Sequence, residues 1–303
     1  MSDILLQRAQ AAYLGVAIGD ALGATVEFMT PREIRASYGM HRDIIGGGWL
    51  RLRRGYVTDD TQMSLALGRA ILDKGEFQAS AVAEAFSEWM RSKPIDIGNT
   101  VRRGIMHYRS SGQTEVPANE HDAGNGACMR SLPIALLTLG QPWAEVQALS
   151  RQHCHITHHN PLSDRATEYV IKMVQVALRA GERQSLETLA QELVEHESKF
   201  KYNGKRSENP SAYIVETMHA VLQAFFEEHT FEAALINVVN RGGDADTTGA
   251  ILGMISGAFY GLDAIPPRWL QSLNAEIRDA CSHQARQLIG LSRREIEADR
   301  KDV

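Results

Sequence analysis

The sequence predicts an all-α fold, on three observations. Apolar residues recur at helical spacing through long segments, as at Leu186, Leu189 and Leu193 and again at Val215, Met218, Leu222 and Phe225. Period-2 alternation bounded by hairpin turns is hard to find. Two segments also carry glycine at every fourth position: Gly15, Gly19 and Gly23, then Gly249, Gly253, Gly257 and Gly261. Spacing of four lines each set along one side of a helix, where missing side chains let another backbone come close. Each glycine costs about 1 kcal/mol of helix propensity relative to alanine, so a stripe of them needs a packing reason. Both helices are therefore expected in the core.

Further helices are expected at 5–24, 61–74, 78–91, 130–139, 143–153, 164–180, 231–240, 247–260 and 267–289. Loops are marked by the glycine-rich basic stretch 46–55, by 110–127 and by 199–210. None reads as a domain linker and no solenoid-length repeat is visible, so residues 1–303 are expected to form a single domain.

Composition narrows the function classes. A hydrophobic fraction of 44% with 23% charged residues suits a globular core rather than disorder. A net charge of −5 supplies no basic field for holding nucleic acid, which is not an expected partner. Cys128, Cys154 and Cys281 are odd in number and scattered, which points to reduced thiols. The N-terminal stretch from Met1 lacks an unbroken apolar run, and the greasiest stretch, 249–262, is too short to span a bilayer. A cytoplasmic protein is expected.

Chemistry is carried by two acid clusters. Thr58-Asp59-Asp60 precedes a good helix, where capping alone would explain one acid but not two. Arg241-Gly-Gly-Asp244-Ala-Asp246-Thr247 repeats the design, since Asp-x-Asp sends two carboxylates toward one point and the threonine adds a neutral oxygen. Mg²⁺ and Mn²⁺ want this mixture of hard oxygen ligands. Four carboxylates crowded without cations would repel, so a shared site for one or two divalent ions accounts for the crowding. A zinc site at His153-Cys-His155 and His158-His159 is the weaker candidate, because no complementary cysteine pair exists elsewhere.

Five segments in order resemble the ADP-ribosylglycohydrolase family over most of the chain. They are Gly15-Val-Ala-Ile-Gly-Asp-Ala-Leu-Gly23 with Glu27, Thr58-Asp-Asp-Thr-Gln-Met63, Gly124-Asn-Gly-Ala-Cys-Met-Arg130, Thr157-His158, and Gly242-Gly-Asp-Ala-Asp-Thr-Thr-Gly249. The resemblance implies a compact all-α bundle around a central dinuclear site, with two Mn²⁺ or Mg²⁺ ions held by Thr58, Asp59, Asp60, Asp244, Asp246 and Thr247. It implies that the Gly124-Asn125-Gly126 loop and His158 hold the ribose and diphosphate, as glycine-loop N–H groups suit anionic oxygens. Asp122 departs from the family pattern, which often has serine there; a carboxylate beside a diphosphate would repel it, so Asp122 is expected to point elsewhere or the loop to be shifted.

The implied activity is hydrolysis of ADP-ribose from an arginine of a target protein. That reaction needs a cation-like sugar transition state, a proton for the leaving group and an activated water. Asp96, in a turn-rich segment with Asn99 nearby for substrate contact, is the preferred acid, with capping of a helix near Thr100 as its alternative. Glu27 is the second acid candidate, or else it orients water at the metals from outside the ligand set. Tyr213 is a candidate for stacking on adenine, against ordinary packing. Arg51, Arg53 and Arg54 form a basic patch that either meets an acidic target or is simply solvated. Within the family the resemblance is nearest to members acting on dinitrogenase reductase in nitrogen-fixing bacteria, with a PII-type signalling protein as a regulatory partner and a monomeric enzyme. Other linkages, serine or acetyl ester, and a non-catalytic ADP-ribose-binding role stay open alternatives.

Overall fold

The computed structural model describes residues 3–179 and 181–299. In order the helices are α1 (Asp3–Gly23), α2 (Pro31–Tyr38), α3 (Asp59–Lys74), α4 (Ala79–Arg91), α5 (Asn99–Ser111), α6 (Leu132–Leu137), α7 (Trp143–His155), α8 (Pro161–Leu178), α9 (Arg183–His196), α10 (Ile214–Glu227), α11 (Phe231–Val239), α12 (Ala245–Tyr260), α13 (Pro267–Ser272) and α14 (Ala275–Asp299). Among the described residues the only β pairings are the isolated bridges Gly47 with Leu52 and Gly124 with Tyr213. The all-α expectation holds. Met1, Ser2 and Ala180, which belong to the expected N-terminus and to the end of the expected helix 164–180, lie outside the described residues.

At the centre α1 and α12 lie antiparallel in backbone contact. A Cβ on Gly15 would sit 2.1 Å from the Gly253 carbonyl oxygen, one on Gly19 2.0 Å from that of Gly249, and one on Gly23 2.2 Å from that of Ala245. Gly257 meets Ala11 in the same way. The stripes are thus the contact itself. Both helices are buried on nearly every side, from Ala9 through Val26 and from Ala245 through Ala258, which explains why neither shows a one-sided apolar face. The antiparallel register brings the end of α1 against the start of α12. No helix of the described residues is long and apolar enough to cross a membrane; the greasy stretch 249–262 is this core helix and its exit.

Where expectation and structure differ, local chemistry gives the reason. The expected helix 267–289 is two helices, because Asn274 donates its N–H to the Gly55 carbonyl at 2.9 Å and accepts from Ile277 N–H at 3.2 Å, capping α14 afresh. Helix α2 was not expected: it has a single buried residue, Ile34, and is nucleated by a capping box in which Thr30 and Glu33 satisfy each other's backbone N–H. Helix α5 also lacked a clear periodic signal, since only Val101, Gly104 and Ile105 are buried.

Gly19→Ala tests the central contact. Alanine is the better helix former, yet the added methyl must push the helices apart, so the variant is expected to lose about 1–3 kcal/mol or more in urea unfolding. A gain in stability would show that the two backbones do not touch.

Candidate active site

Three helix ends meet at one place. The chain leaving α1 carries Glu27, α3 opens with Asp59 and Asp60, and α12 opens at Asp244 with Asp246 and Thr247 in its first turn. The turn after α1 is zipped to the turn before α12: Phe28 N–H donates to the Gly243 carbonyl at 2.7 Å and Gly243 N–H to that of Met29 at 3.0 Å. Gly242 and Gly243 both have positive φ, 71° and 64°, and a side chain on either would strike the backbone of Met29 or Pro210.

The start of α3 is held by Asp20, one turn before the end of α1. Its carboxylate accepts from Thr58 N–H at 2.9 Å, from Thr61 N–H at 3.1 Å and from both threonine hydroxyls. The capping alternative for Asp59 and Asp60 therefore fails, because Asp20 does that work through space. Capping also fails for Asp96: α5 starts after Gly98 with no side-chain cap, and Asp96 Oδ1 accepts from the adjacent Ile97 N–H at 2.8 Å.

The released acids crowd together. Thr58 Oγ1 lies 3.2 Å from Asp60 Oδ2 and 3.4 Å from Asp246 Oδ2, and Thr247 Oγ1 lies 3.4 Å from Asp60 Oδ2. Glu27, Asp244 and Asp246 each offer a carboxylate oxygen within 4.8 Å of the others. Asp60 Oδ1 is buried with no hydrogen-bond partner. Such an atom is costly unless something positive meets it, and the surrounding donors are carboxylate and hydroxyl oxygens, so the cluster fits a hard divalent cation.

Electrostatics agree. Burial first, then the neighbouring carboxylates, drive the acids toward their protonated forms. Glu27 rises to about 8 and Asp59 to about 7, while Asp60 and Asp246 lie well above the usual carboxylate range. Asp20, buried but steadied by the Thr61 and Thr58 bonds, rises to about 6. Burial also raises Asp96 and Asp244.

A cavity of about 410 Å³ opens over the cluster. Glu27, Asp59, Asp96, Asn99, Gly124, Asn125, Gly126, His158, Asp244, Asp246 and Thr247 all line it, so most of the residues singled out from sequence converge. Asn125 needs correction as a free loop donor. Its Nδ2 donates to Asp244 at 2.5 Å and to Thr217 at 2.9 Å, and its backbone N–H is taken by the Ala212 carbonyl. Tyr213 does not line the cavity but pairs with Gly124 at its edge, and at 37% exposed it is not a packing element. Asp122 does point elsewhere, onto the Thr100 hydroxyl at 2.9 Å and the Arg103 guanidinium.

The roles of two residues escaped the sequence reading. Trp49, from the glycine-rich loop, donates its indole N–H to Glu27 Oε2 at 2.6 Å, and Phe28 packs beside it with ring centroids 5.4 Å apart. Phe28 has φ of 62°, a backbone conformation held at some strain next to the acid. The other is Asp20, whose position in the glycine stripe was visible while its role was not. The basic patch is exposed: Arg53 lies over the Tyr56 ring and Arg54 bonds Ser272. Arg51 and Arg53 also border a separate groove of about 940 Å³ between α3 and α4.

Of the zinc candidates, His153 and His158 are buried with other partners. His155 and His159 do face Glu115, at 3.3 and 3.4 Å, with their ligand atoms close together, but His159 Nδ1 must donate to the Val116 carbonyl at 2.9 Å and so offers no lone pair, and His155 Nε2 is taken by Asp164. The three cysteines are free and buried.

Fold and site together define a helical protein built around an acidic, cation-type cage. The chain belongs to the ADP-ribosylglycohydrolase family, whose profile matches residues 1–298. It is 47% identical over 285 residues to the ADP-ribosyl-[dinitrogen reductase] glycohydrolase of Rhodospirillum rubrum, covering 94% of this chain and 96% of that one. It is 30% identical to the ADP-ribosylarginine hydrolase Tri1 of Pseudomonas putida, over 88% of this chain and 74% of that one. A solved structure described as an ADP-ribosylglycohydrolase-related protein complex superposes with a TM-score of 0.84 at 32% identity, covering 95% of this chain and 99% of that one.

The raised carboxyl values give a pH prediction. The folded, ion-free chain holds more protons than the unfolded chain between the ordinary carboxylate range and the raised values, so this stability is complete at low pH and is lost as pH climbs through about 6 to about 8. The melting temperature of chelated protein is expected to fall from about pH 5.5 to about pH 8.5, and saturating Mn²⁺ to flatten that slope. A chelated protein whose melting temperature ignores pH over that interval would contradict the crowding.

Proposed function

We propose that this protein hydrolyses the N-glycosidic bond between ADP-ribose and an arginine side chain of a modified protein, with two Mn²⁺ or Mg²⁺ ions held by Thr58, Asp59, Asp60, Asp244, Asp246 and Thr247. The observation that carries the reading is the convergence of acids from three distant segments on one buried site, which includes Asp60 with its unpartnered Oδ1. The two relatives named above for ADP-ribosyl and ADP-ribosylarginine hydrolysis support the bond and the linkage. The Rhodospirillum relative supports dinitrogenase reductase as the target. Residues 1–303 act as one domain, monomeric and in the cytoplasm; free, buried thiols suit a reducing compartment. Regulation through a PII-type signalling protein is the outermost part of this reading.

When bound, the divalent ions neutralise the acid cluster and supply Lewis-acid attraction for the hydroxyl oxygens of the sugar. The chain's own residues do the rest. Asp96, with Oδ1 occupied by Ile97 N–H, keeps Oδ2 for proton transfer, and partial burial raises its affinity for a proton toward the working range of a general acid–base. Breaking the bond leaves the electron pair on the guanidine nitrogen, which takes up a proton, while water adds to the sugar carbon and gives one up. Glu27 is held by Trp49 through Oε2 and can accept or orient with Oε1. Asn99, the Gly124-Asn125-Gly126 loop and His158 surround the ribose and diphosphate, and Tyr213 stands at the edge for the adenine end.

The test is release of ADP-ribose from arginine-linked, serine-linked and ester-linked substrates by purified protein, with metal content measured beside turnover. Arginine-linked release is expected to dominate, and Asp96→Asn to lower kcat by about 10²-fold or more with metal content unchanged. Normal turnover in Asp96→Asn would remove that residue from the chemistry, and release from serine alone would move the linkage.

A further inference from the structure

His158 lies against the glycine loop of the cavity. A Cβ on Gly126 would come within 2.8 Å of its Cε1 and 3.1 Å of its Nε2, and one on Gly124 within 3.0 Å of Nε2. Nε2 therefore faces the loop. The other ring nitrogen, Nδ1, faces inward and lies 2.8 Å from the Thr157 hydroxyl oxygen. A neutral imidazole has one N–H and one lone pair, and heavy-atom positions alone do not say which nitrogen carries which.

The buried network around Thr157 settles the choice. Arg130 is fully buried, and its guanidinium donates to Thr157 Oγ1 at 2.6 Å and to His153 Nε2 at 3.2 Å, with the Phe86 ring 4.6 Å away. Among the described residues it forms no ion pair with a carboxylate. A guanidinium can only donate, so Thr157 Oγ1 must spend a lone pair on it. The single hydroxyl hydrogen of Thr157 then has one acceptor in reach among its described partners, His158 Nδ1.

We infer that Arg130 and Thr157 are positioning residues that hold His158 as the neutral Nε2–H tautomer, so that the ring presents a hydrogen-bond donor, not a lone pair, to an anionic oxygen of the bound substrate. This gives the buried guanidinium a role beyond its through-space attraction to Asp59, with which it forms no ion pair. An apolar residue at 130 would fill the space, but only a pure donor forces both of its neighbours to turn lone pairs inward. Burial, with Arg130 and Arg103 nearby, also holds the ring neutral, its proton affinity pushed down to about 3. A donor in the glycine loop suits a diphosphate oxygen, and the same assignment excludes His158 as the base of the reaction.

The inference rests on the reading that the cavity takes ADP-ribose, but the tautomer is measurable without substrate. Protein carrying ¹⁵N-histidine gives a long-range ¹H–¹⁵N spectrum in which the His158 signals are assigned by their loss in His158→Gln. Wild type is expected to show a protonated Nε2 and a bare Nδ1. In Thr157→Val the tautomer preference is expected to relax, and KM for ADP-ribosylarginine to rise about tenfold while kcat changes far less. Thr157→Ser, which keeps the hydroxyl, is expected to restore both. A wild-type His158 protonated on Nδ1 would overturn the inference whatever the enzyme's activity, as would a folded Thr157→Val with an unchanged tautomer and KM.

Discussion

The antiparallel contact between α1 and α12 is the constraint on which the site depends. Their glycine stripes let the two backbones touch, and the observed register, with Gly15 on Gly253 and Gly19 on Gly249, fixes where each helix ends relative to the other. Residues more than two hundred positions apart, Glu27 and the pair Asp244 and Asp246, are delivered to one point by backbone packing rather than by side-chain attraction, which between carboxylates would be repulsive. Asp20 extends the same frame to a third segment by gripping the first turn of α3 through two backbone N–H groups and two hydroxyls.

This arrangement stores electrostatic tension. The acids are buried, raised in proton affinity and within a few ångströms of one another, a state that a protein maintains only when something compensates it. The chain makes its other charges consistent with that demand. Asp122, a carboxylate beside the glycine loop, is drawn off by Arg103 and Thr100, which turns its negative charge away from the face that an anionic ligand would meet. Asn125 links the glycine loop to the acid cage directly, through its hydrogen bond to Asp244.

Much of this was legible in the sequence, because its signals are local or periodic. Glycine every fourth residue reports a helix contact wherever its partner lies, and Asp-Asp and Asp-x-Asp at helix starts report more negative charge than capping needs. Through-space substitutions were not legible. Nothing local says that Asp20 caps a helix thirty-eight residues later, freeing Asp59 and Asp60, or that Trp49 reaches back to Glu27 from a loop that reads as glycine-rich and basic. The break between α13 and α14 was hidden for a related reason: Asn274 sits in a good helical pattern, and only its bond to Gly55 turns it into a cap. Resemblance supplied the expected roles of Asn125 and His158, while their hydrogen-bond partners, Asp244 for one and Thr157 for the other, lie far away or carry no pattern in sequence and appear only in the fold.

The central claim is that an acid cage assembled by helix packing is completed by cations that take part in the reaction. Its most direct measurement is a Mn²⁺ titration of chelated protein in which bound ion and ADP-ribose release from ADP-ribosylarginine are read in the same samples. The account predicts two ions per chain, with release rising as they bind. Full release by protein that holds no ion would contradict it.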